Sequence, residues 1–337
     1  MSERSTMPLI EVEDLGVHLN TSRGPAQAVR GVSFVLKRGE TLGLVGESGC
    51  GKSVTALSLM GLLPDSAVIT GSIKLDGSEL VGLSDADYCS LRGNRISMIF
   101  QEPMTALNPM HTIGHQVAEP LRRHKKYSAA QARKETIALL DRVGLPDPAR
   151  RIDAYPHQFS GGQRQRVTIA MALACEPDLL IADEPTTALD VTIQGQILDL
   201  IADLVDERGM SMILISHDLG VIAENVQRMM VMYGGTVVES GPTDEVFRRM
   251  GHPYTQGLFR ARPKLGARKG TRLTTISGTV PELADLPSGC TFADRCPLVI
   301  EPCRTALPPM VDVRPGHFVR CIRTDVSMAA NVGALSA

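Results

Sequence analysis

The sequence predicts an α/β fold, a mostly parallel sheet with helices on its faces. Three observations predict it. Short apolar runs recur at 41–45 (TLGLV), 179–182 (LLIA) and 212–215 (MILI). Helical stretches alternate with them, as crossovers between parallel strands require. All three runs end in chemically active residues: a glycine loop, Asp183 with Glu184, and Ser216 with His217 and Asp218. In open α/β sheets ligands bind at the carboxyl ends of the strands.

The first run opens into Gly46-Glu47-Ser48-Gly49-Cys50-Gly51-Lys52-Ser53, which fits G-x-x-x-x-G-K-[ST]. Glycines let the backbone curl until successive N–H groups face one concavity. The stretch 52–62, carrying Val54, reads as the helix that follows. Its N-terminus adds unpaired N–H groups and a dipole that favour an anion. Lys52 is expected to reach the β and γ phosphates of ATP, and the Ser53 hydroxyl to ligate Mg²⁺. The plain alternative is a glycine-rich turn before an ordinary helix.

Between about 86 and 160 the pattern changes. The stretch 128–145 has helical periodicity and stops at Gly144, so a helical insertion in the sheet domain is expected. Ser160-Gly161-Gly162 opens another helix at 163–175, a second anion-binding N-terminus. The second apolar run then delivers Asp183 and Glu184. Adjacent strand residues point to opposite faces, so the two carboxylates divide their work. Asp183 suits the outer sphere of Mg²⁺, and Glu184 suits general-base action on a water attacking the γ phosphate. A helix N-cap is the bland alternative for such a pair.

Composition sets outer bounds. The 337 residues hold 35 Lys+Arg against 37 Asp+Glu, a net charge of −2, without the basic excess of a nucleic-acid binder. No apolar run approaches the roughly 18 residues of a membrane span, and "MSERSTMPLIEVED" holds no apolar signal core. A cytoplasmic protein is expected. Residues 281–315 hold seven prolines and leave little room for long helices or central strands. Cys290, Cys296, Cys303 and Cys321 cluster there, in the pattern C-x5-C-x6-C-x17-C. In a reducing compartment such a cluster points to a metal site rather than disulfides.

"FSGGQRQRV" (159–167) resembles the signature motif of the ATP-binding cassette (ABC) ATPases, with Phe159 where leucine is usual. Gln101 in "MIFQEP" matches that family's glutamine loop, "TALD" (187–190) its S-A-L-D loop, and His217 in "LISHD" its switch histidine. The resemblance implies a P-loop NTPase (RecA-like) core with an antiparallel β subdomain and a helical insertion. It implies a head-to-tail dimer in which the phosphate loop of one chain and the signature of the other sandwich each ATP. Ser160, Gly161, Gly162, Gln163 and Asp190 would then act in trans, Gln101 would meet Mg²⁺ or the attacking water, and His217 would sense the γ phosphate. One departure concerns the base. The family commonly stacks adenine on an aromatic residue upstream of the loop, yet no Phe, Tyr or Trp precedes Phe34. His18 and Arg23 are the candidates to cover the base.

"HPYTQGL" (252–258) and "GTVPELADLPSGCTFADRCP" (278–297) are similar to the ATPase subunits of oligopeptide, dipeptide and nickel importers. That resemblance implies a related second ATPase subunit, two membrane permeases, a solute-binding protein acting indirectly, and a place at the cytoplasmic face of the cell membrane. Residues 102–120 would receive the permeases. It also implies a [4Fe–4S] cluster on the four cysteines, with Zn²⁺ as the alternative donor-compatible metal. The expected division is 1–262 for the nucleotide-binding domain, with its helical part at about 86–175, and 263–337 for a metal-stapled extension. Cargo choices are a peptide, or nickel, an oligosaccharide or another small solute. A non-transport ABC ATPase is the distant alternative.

Overall fold

The computed structural model describes residues 7–187, 189–261 and 275–332. The strands are β1 (Ile10–Thr21), β2 (Gly24–Leu36), β3 (Thr41–Val45), β4 (Val68–Leu75), β5 (Ser78–Glu79), β6 (Ile96–Ile99), β7 (Leu179–Asp183), β8 (Ser211–Ser216), β9 (Arg228–Tyr233), β10 (Thr236–Pro242), β11 (Val311–Arg314) and β12 (His317–Val319). The helices that matter below are α1 (Lys52–Met60), α2 (Asp85–Leu91), α3 (Pro103–Ala106), α4 (Ile113–His124), α5 (Ala129–Arg142), α6 (Pro148–Arg151), α7 (Gly161–Leu173), α8 (Val191–Arg208), α9 (Leu219–Asn225), α10 (Thr243–Arg248) and α11 (Pro253–Arg260). The described residues form two compact units, one of residues 7–10, 36–41 and 75–215 without 188, the other of 11–35, 42–74, 216–261 and 275–332. The domain boundary expected at 262/263 falls outside the described residues.

In the first unit β6, β7 and β8 run parallel, with Ile96 opposite Leu179 and Leu179 opposite Ser211. Every residue of the three is buried. Strands covered on both faces read as continuous apolar runs, which is why the sequence shows them plainly. β6 lies inside the bounds expected for the helical insertion; its four residues are too few to announce a strand. The helices α4, α5 and α7 start at Thr112, Ser128 and Ser160, whose side chains accept from the His115, Gln131 and Gln163 amides. Such caps satisfy amides that the first turn leaves without partners. α5 stops short of Gly144, whose φ of +73° only glycine adopts without strain.

In the second unit β3 pairs parallel with β9, Leu42 opposite Arg228. The sheet then turns antiparallel, through β10 and β12 to β11. The cause is local. Gly234 (φ +53°) and Gly235 (φ +76°) join Tyr233 to Thr236 as a two-residue hairpin of the type that needs positive φ twice. The sheet is therefore mixed where a mostly parallel one was expected. β2, β1 and β4 are neighbours in that order in a separate sheet.

The cysteine-bearing segment belongs to this second unit, and the side chains as placed show no metal staple. Among the described residues no group of three or more Cys, His, Asp or Glu stands close enough to hold a metal ion. Other contacts attach the segment. His317 on β12 bonds Glu239 on β10 at 2.8 Å, both with no exposure. Glu239 also accepts from the amides of Gly251 and His252. Phe292 packs edge-on to Tyr233 and against Tyr254, with centroids 5.1 and 5.3 Å apart. A segment that joins an existing core need not bury enough surface to fold alone, so its attachment does not depend on a staple. No described helix is long and apolar enough to cross a membrane.

Candidate functional site

The phosphate loop occupies the turn from β3 into α1. A Cβ on Gly46 would lie 2.3 Å from the Met232 carbonyl oxygen, and one on Gly51, at φ +101°, 2.7 Å from that of Ala28. The chain packs so tightly here that only glycine fits. Gly51 is the N-cap of α1, and no side chain caps it. α4, α5 and α7 carry Ser or Thr caps, whereas no side chain caps α1 or, at Asp190, α8, so the amides of α1 are open to an anion. Lys52 is buried, and its Nζ donates to the carbonyls of Gly46 and Glu47 at 2.8 and 3.1 Å. Ser53 and Val54 are half-buried, while Ser48 and Gly49 are exposed at the loop tip. Cys50 is buried, and burial raises its thiol pKa. Glu47 departs from expectation. Its amide donates to the Tyr254 hydroxyl at 2.8 Å and its carboxylate holds Arg295.

In the other unit, Asp183 ends β7 at 5% exposure. Glu184 follows with φ +45°, outside the strand. The two carboxylates part because Glu184 takes a left-handed backbone, not by strand alternation as expected. Its amide donates to the Ile215 carbonyl. Its Oε2 accepts from Gln101 Nε2 and from the Thr187 hydroxyl, both at 3.0 Å. The structure thus brings Gln101 and Glu184 together and adds Thr187 as an orienting donor. Ser53, Gln101 and Asp183 offer oxygen donors only, the donor type Mg²⁺ takes.

The signature residues form a complete capping box. The Ser160 hydroxyl accepts from the Gln163 amide, and the Ser160 amide donates to Gln163 Oε1 at 3.2 Å. Gly161 and Gly162 open α7, and a Cβ on Gly162 would approach Ile193 on α8 to 2.9 Å. Gln165, with no exposure, donates to the Pro185 carbonyl at 2.6 Å, tying α7 to the loop after Glu184. Nothing in the local sequence marked Gln165. Asp190 is exposed at the start of α8, and its neighbour Ala188 lies outside the described residues.

Within the second unit His217 is exposed just past β8. Arg23, at the tip between β1 and β2, pairs with Glu282 and Asp285 at 2.6 and 2.7 Å. An open pocket of about 380 Å³ lies beside it, lined by Thr21, Ser48, Gly49, Val280 and Leu283. The expected cysteine quartet lines one small cavity together with His252. Burial raises the thiol pKa of Cys290 and of Cys321 to about 11, and raises that of Cys296. Four soft sulfur donors around one cavity suit iron–sulfur or zinc chemistry, although as placed they do not close on a single ion.

Comparison with known proteins agrees with this geometry. Residues 29–187 match the ABC transporter family, and residues 238–303 match the C-terminal region of oligopeptide/dipeptide transporters. The chain is 52% identical over 331 residues to a putative peptide import ATP-binding protein of Brucella ovis, covering 95% of this chain and 98% of that protein. It belongs to the ABC transporter ATPases. This ABC ATPase is also 52% identical to the dipeptide transport ATP-binding protein of Bacillus subtilis, over 93% of this chain and 94% of that one. The oligopeptide transport ATP-binding protein of Mycobacterium tuberculosis is 49% identical, the match covering 95% of this chain and 52% of that protein. Among solved structures, a dimeric ATP-binding cassette in a post-hydrolysis state bound to ADP and Pi superimposes with a TM-score of 0.62 at 28% identity. The match covers 69% of this chain and 98% of that one. The ABC ATPase couples ATP hydrolysis to transport.

Proposed function

We propose that this ATPase powers import of di- or oligopeptides, working beside a related ATPase subunit beneath two permeases at the cytoplasmic face of the cell membrane. The observation that carries the reading is the phosphate loop, whose glycines pack where no Cβ fits and whose Lys52 folds back onto the loop's own carbonyls, ahead of a helix that no side chain caps. In this reading the open amides of the loop and Lys52 hold the β and γ phosphates, and the pocket beside Ser48 and Gly49 takes the nucleoside. Arg23, being tied to Glu282 and Asp285, forms a wall of that pocket. Magnesium, held through Ser53, Gln101 and Asp183, would neutralise charge on the phosphates. Glu184, oriented by Gln101 and Thr187, takes the proton of the attacking water. Ser160, Gly161, Gly162, Gln163 and Asp190 of this chain would close over the nucleotide held by the second ATPase subunit, and His217 would contact the γ phosphate.

The names of the relatives support the peptide cargo, and the solved dimeric cassette supports the paired arrangement. Met110, 79% exposed in the segment 102–120, offers the permeases an apolar contact. Residues 263–337 form the transporter-type extension in this reading. Its Cys290, Cys296, Cys303 and Cys321 would hold a [4Fe–4S] cluster, or Zn²⁺ in its place, as a structural group; iron, zinc and the visible spectrum of anaerobically purified protein test this. The function itself is tested in proteoliposomes holding the permeases and both ATPase subunits. ATP-dependent peptide uptake is expected, abolished by Lys52→Ala. Uptake that survives Lys52→Ala, or none with the native chain, overturns the reading.

A further inference from the structure

We infer that Arg295 is a positioning residue for the phosphate loop, fixing Glu47 and thereby setting the loop's affinity for ATP. The inference rests on the reading that Gly46–Ser53 holds the phosphates of ATP.

Every polar group of Glu47 has a fixed partner. Its amide donates to the Tyr254 hydroxyl, its carbonyl accepts from Lys52 Nζ, and its two carboxylate oxygens accept from Arg295 Nη1 at 2.7 Å and Nη2 at 3.1 Å. A two-pronged pair fixes direction as well as distance. Arg295 is itself immobilised. Its side chain is 6% exposed, its Nε donates to the Ser277 carbonyl at 3.0 Å, and its Nη1 also reaches the Tyr233 hydroxyl at 3.3 Å. The guanidinium lies 5.7 Å from the Tyr233 ring centre and 5.9 Å from that of Phe292. Burial alone would lower its pKa, but the bonds to Glu47 and Tyr233 outweigh that and hold it above the ordinary arginine value.

The carbonyl that Glu47 offers to Lys52 links this arrangement to the phosphates, because the direction of that peptide sets where the ammonium sits. The amide of Glu47 is turned away to Tyr254, and its carbonyl also accepts from the Cys50 amide, so this one peptide fixes both ends of the loop's first turn. Arg295 ends a short 3₁₀ turn, Ala293–Arg295, between Cys290 and Cys296. The cysteine-bearing segment therefore reaches the loop through one side chain.

The test measures ATP affinity by calorimetry, and KM and kcat for ATP, in the full-length chain and in Arg295→Met, Glu47→Gln and the double variant. Loss of one partner of a partly buried, two-pronged charge pair is expected to weaken ATP binding about tenfold in each single variant. The double variant is expected to bind no more weakly than either single one, since both remove the same contact. KM should rise with kcat little changed, a split that general loss of folded protein does not produce. Arg295→Lys keeps the charge but not the fork and should fall between the native chain and Arg295→Met. If Arg295→Met does not fold, Arg295→Lys and Glu47→Gln carry the same comparison. Unchanged affinity in the variants, or losses that add in the double variant, overturns the inference while the ATP reading stands. A native chain that binds no ATP removes both.

Discussion

Glu184 shows how much one residue's surroundings decide. A non-glycine residue at φ +45° carries strain of about 1 kcal/mol or more. Here that backbone swings the carboxylate out of the strand to meet Gln101 and Thr187. Replacing it with the isosteric amide keeps the shape but removes the proton acceptor. Glu184→Gln is expected to bind ATP as the native chain does, with kcat lowered at least about 100-fold, the scale of general-base catalysis. Phosphate release and ATP binding, measured side by side, check this; native turnover in the variant would free Glu184 of that role. The carboxylate was legible in the sequence because "LLIADEP" sets it at the end of an apolar run. Its direction was not, because a left-handed backbone at glutamate leaves no compositional mark. Arg295 was not legible either, since it meets Glu47 from 248 residues away.

At the scale of elements, local rules were the readable ones. Ser128 with Gln131 and Ser160 with Gln163 announce their helices by a cap three residues ahead of its partner. The Gly234-Gly235 pair announces a hairpin, and it was this signal, present but unread, that made the sheet mixed. Contacts between elements leave no such trace. Gln165 is one: it joins α7 to the loop bearing Glu184 through a wholly buried bond. Gln165→Leu leaves the Pro185 carbonyl without that donor and is expected to cost about 1–3 kcal/mol, read as a lower urea midpoint at unchanged m-value. The ring of Arg38, Asp76, Arg95 and Asp178 is another. Arg95 bonds both carboxylates, and Arg38 lies within salt-bridge distance of both. Burial alone would raise the Asp76 pKa, but the bonds from Arg95 and Arg38 outweigh it and hold it below the usual value. A carboxylate with a lowered folded pKa stabilises fully above its unfolded value, about 3.9, and loses that contribution as pH falls through the folded one. The stability gap between the native chain and Asp76→Asn is therefore expected to be steady from pH 7 to about 4 and to close below it. Urea unfolding at several pH values measures the gap; a gap unchanged at pH 3 would contradict the assignment.

For the whole molecule, the C-terminal segment is the part whose attachment the sequence left least readable. Seven prolines and four cysteines suggested an appendage held by a metal. The structure makes it part of the unit that carries the phosphate loop. The attachment runs through groups far apart in the chain. His317 sits opposite Glu239, and Glu239 in turn accepts the amides of Gly251 and His252 that lead into α11. One buried carboxylate thus organises β10, β12 and the start of α11 together, and α11 supplies the Tyr254 that holds Glu47. Removing the imidazole leaves Glu239 one partner short in a site with no exposure. His317→Leu is expected to lower stability by about 1–3 kcal/mol. The effect should reach beyond the segment, because the elements sharing Glu239 also support the phosphate loop. Hydrogen exchange in the variant should rise at Gly251, His252 and Glu47 as well as along β12. Faster exchange confined to β11 and β12 would show that the segment is an appendage after all, attached to the loop's unit without supporting it.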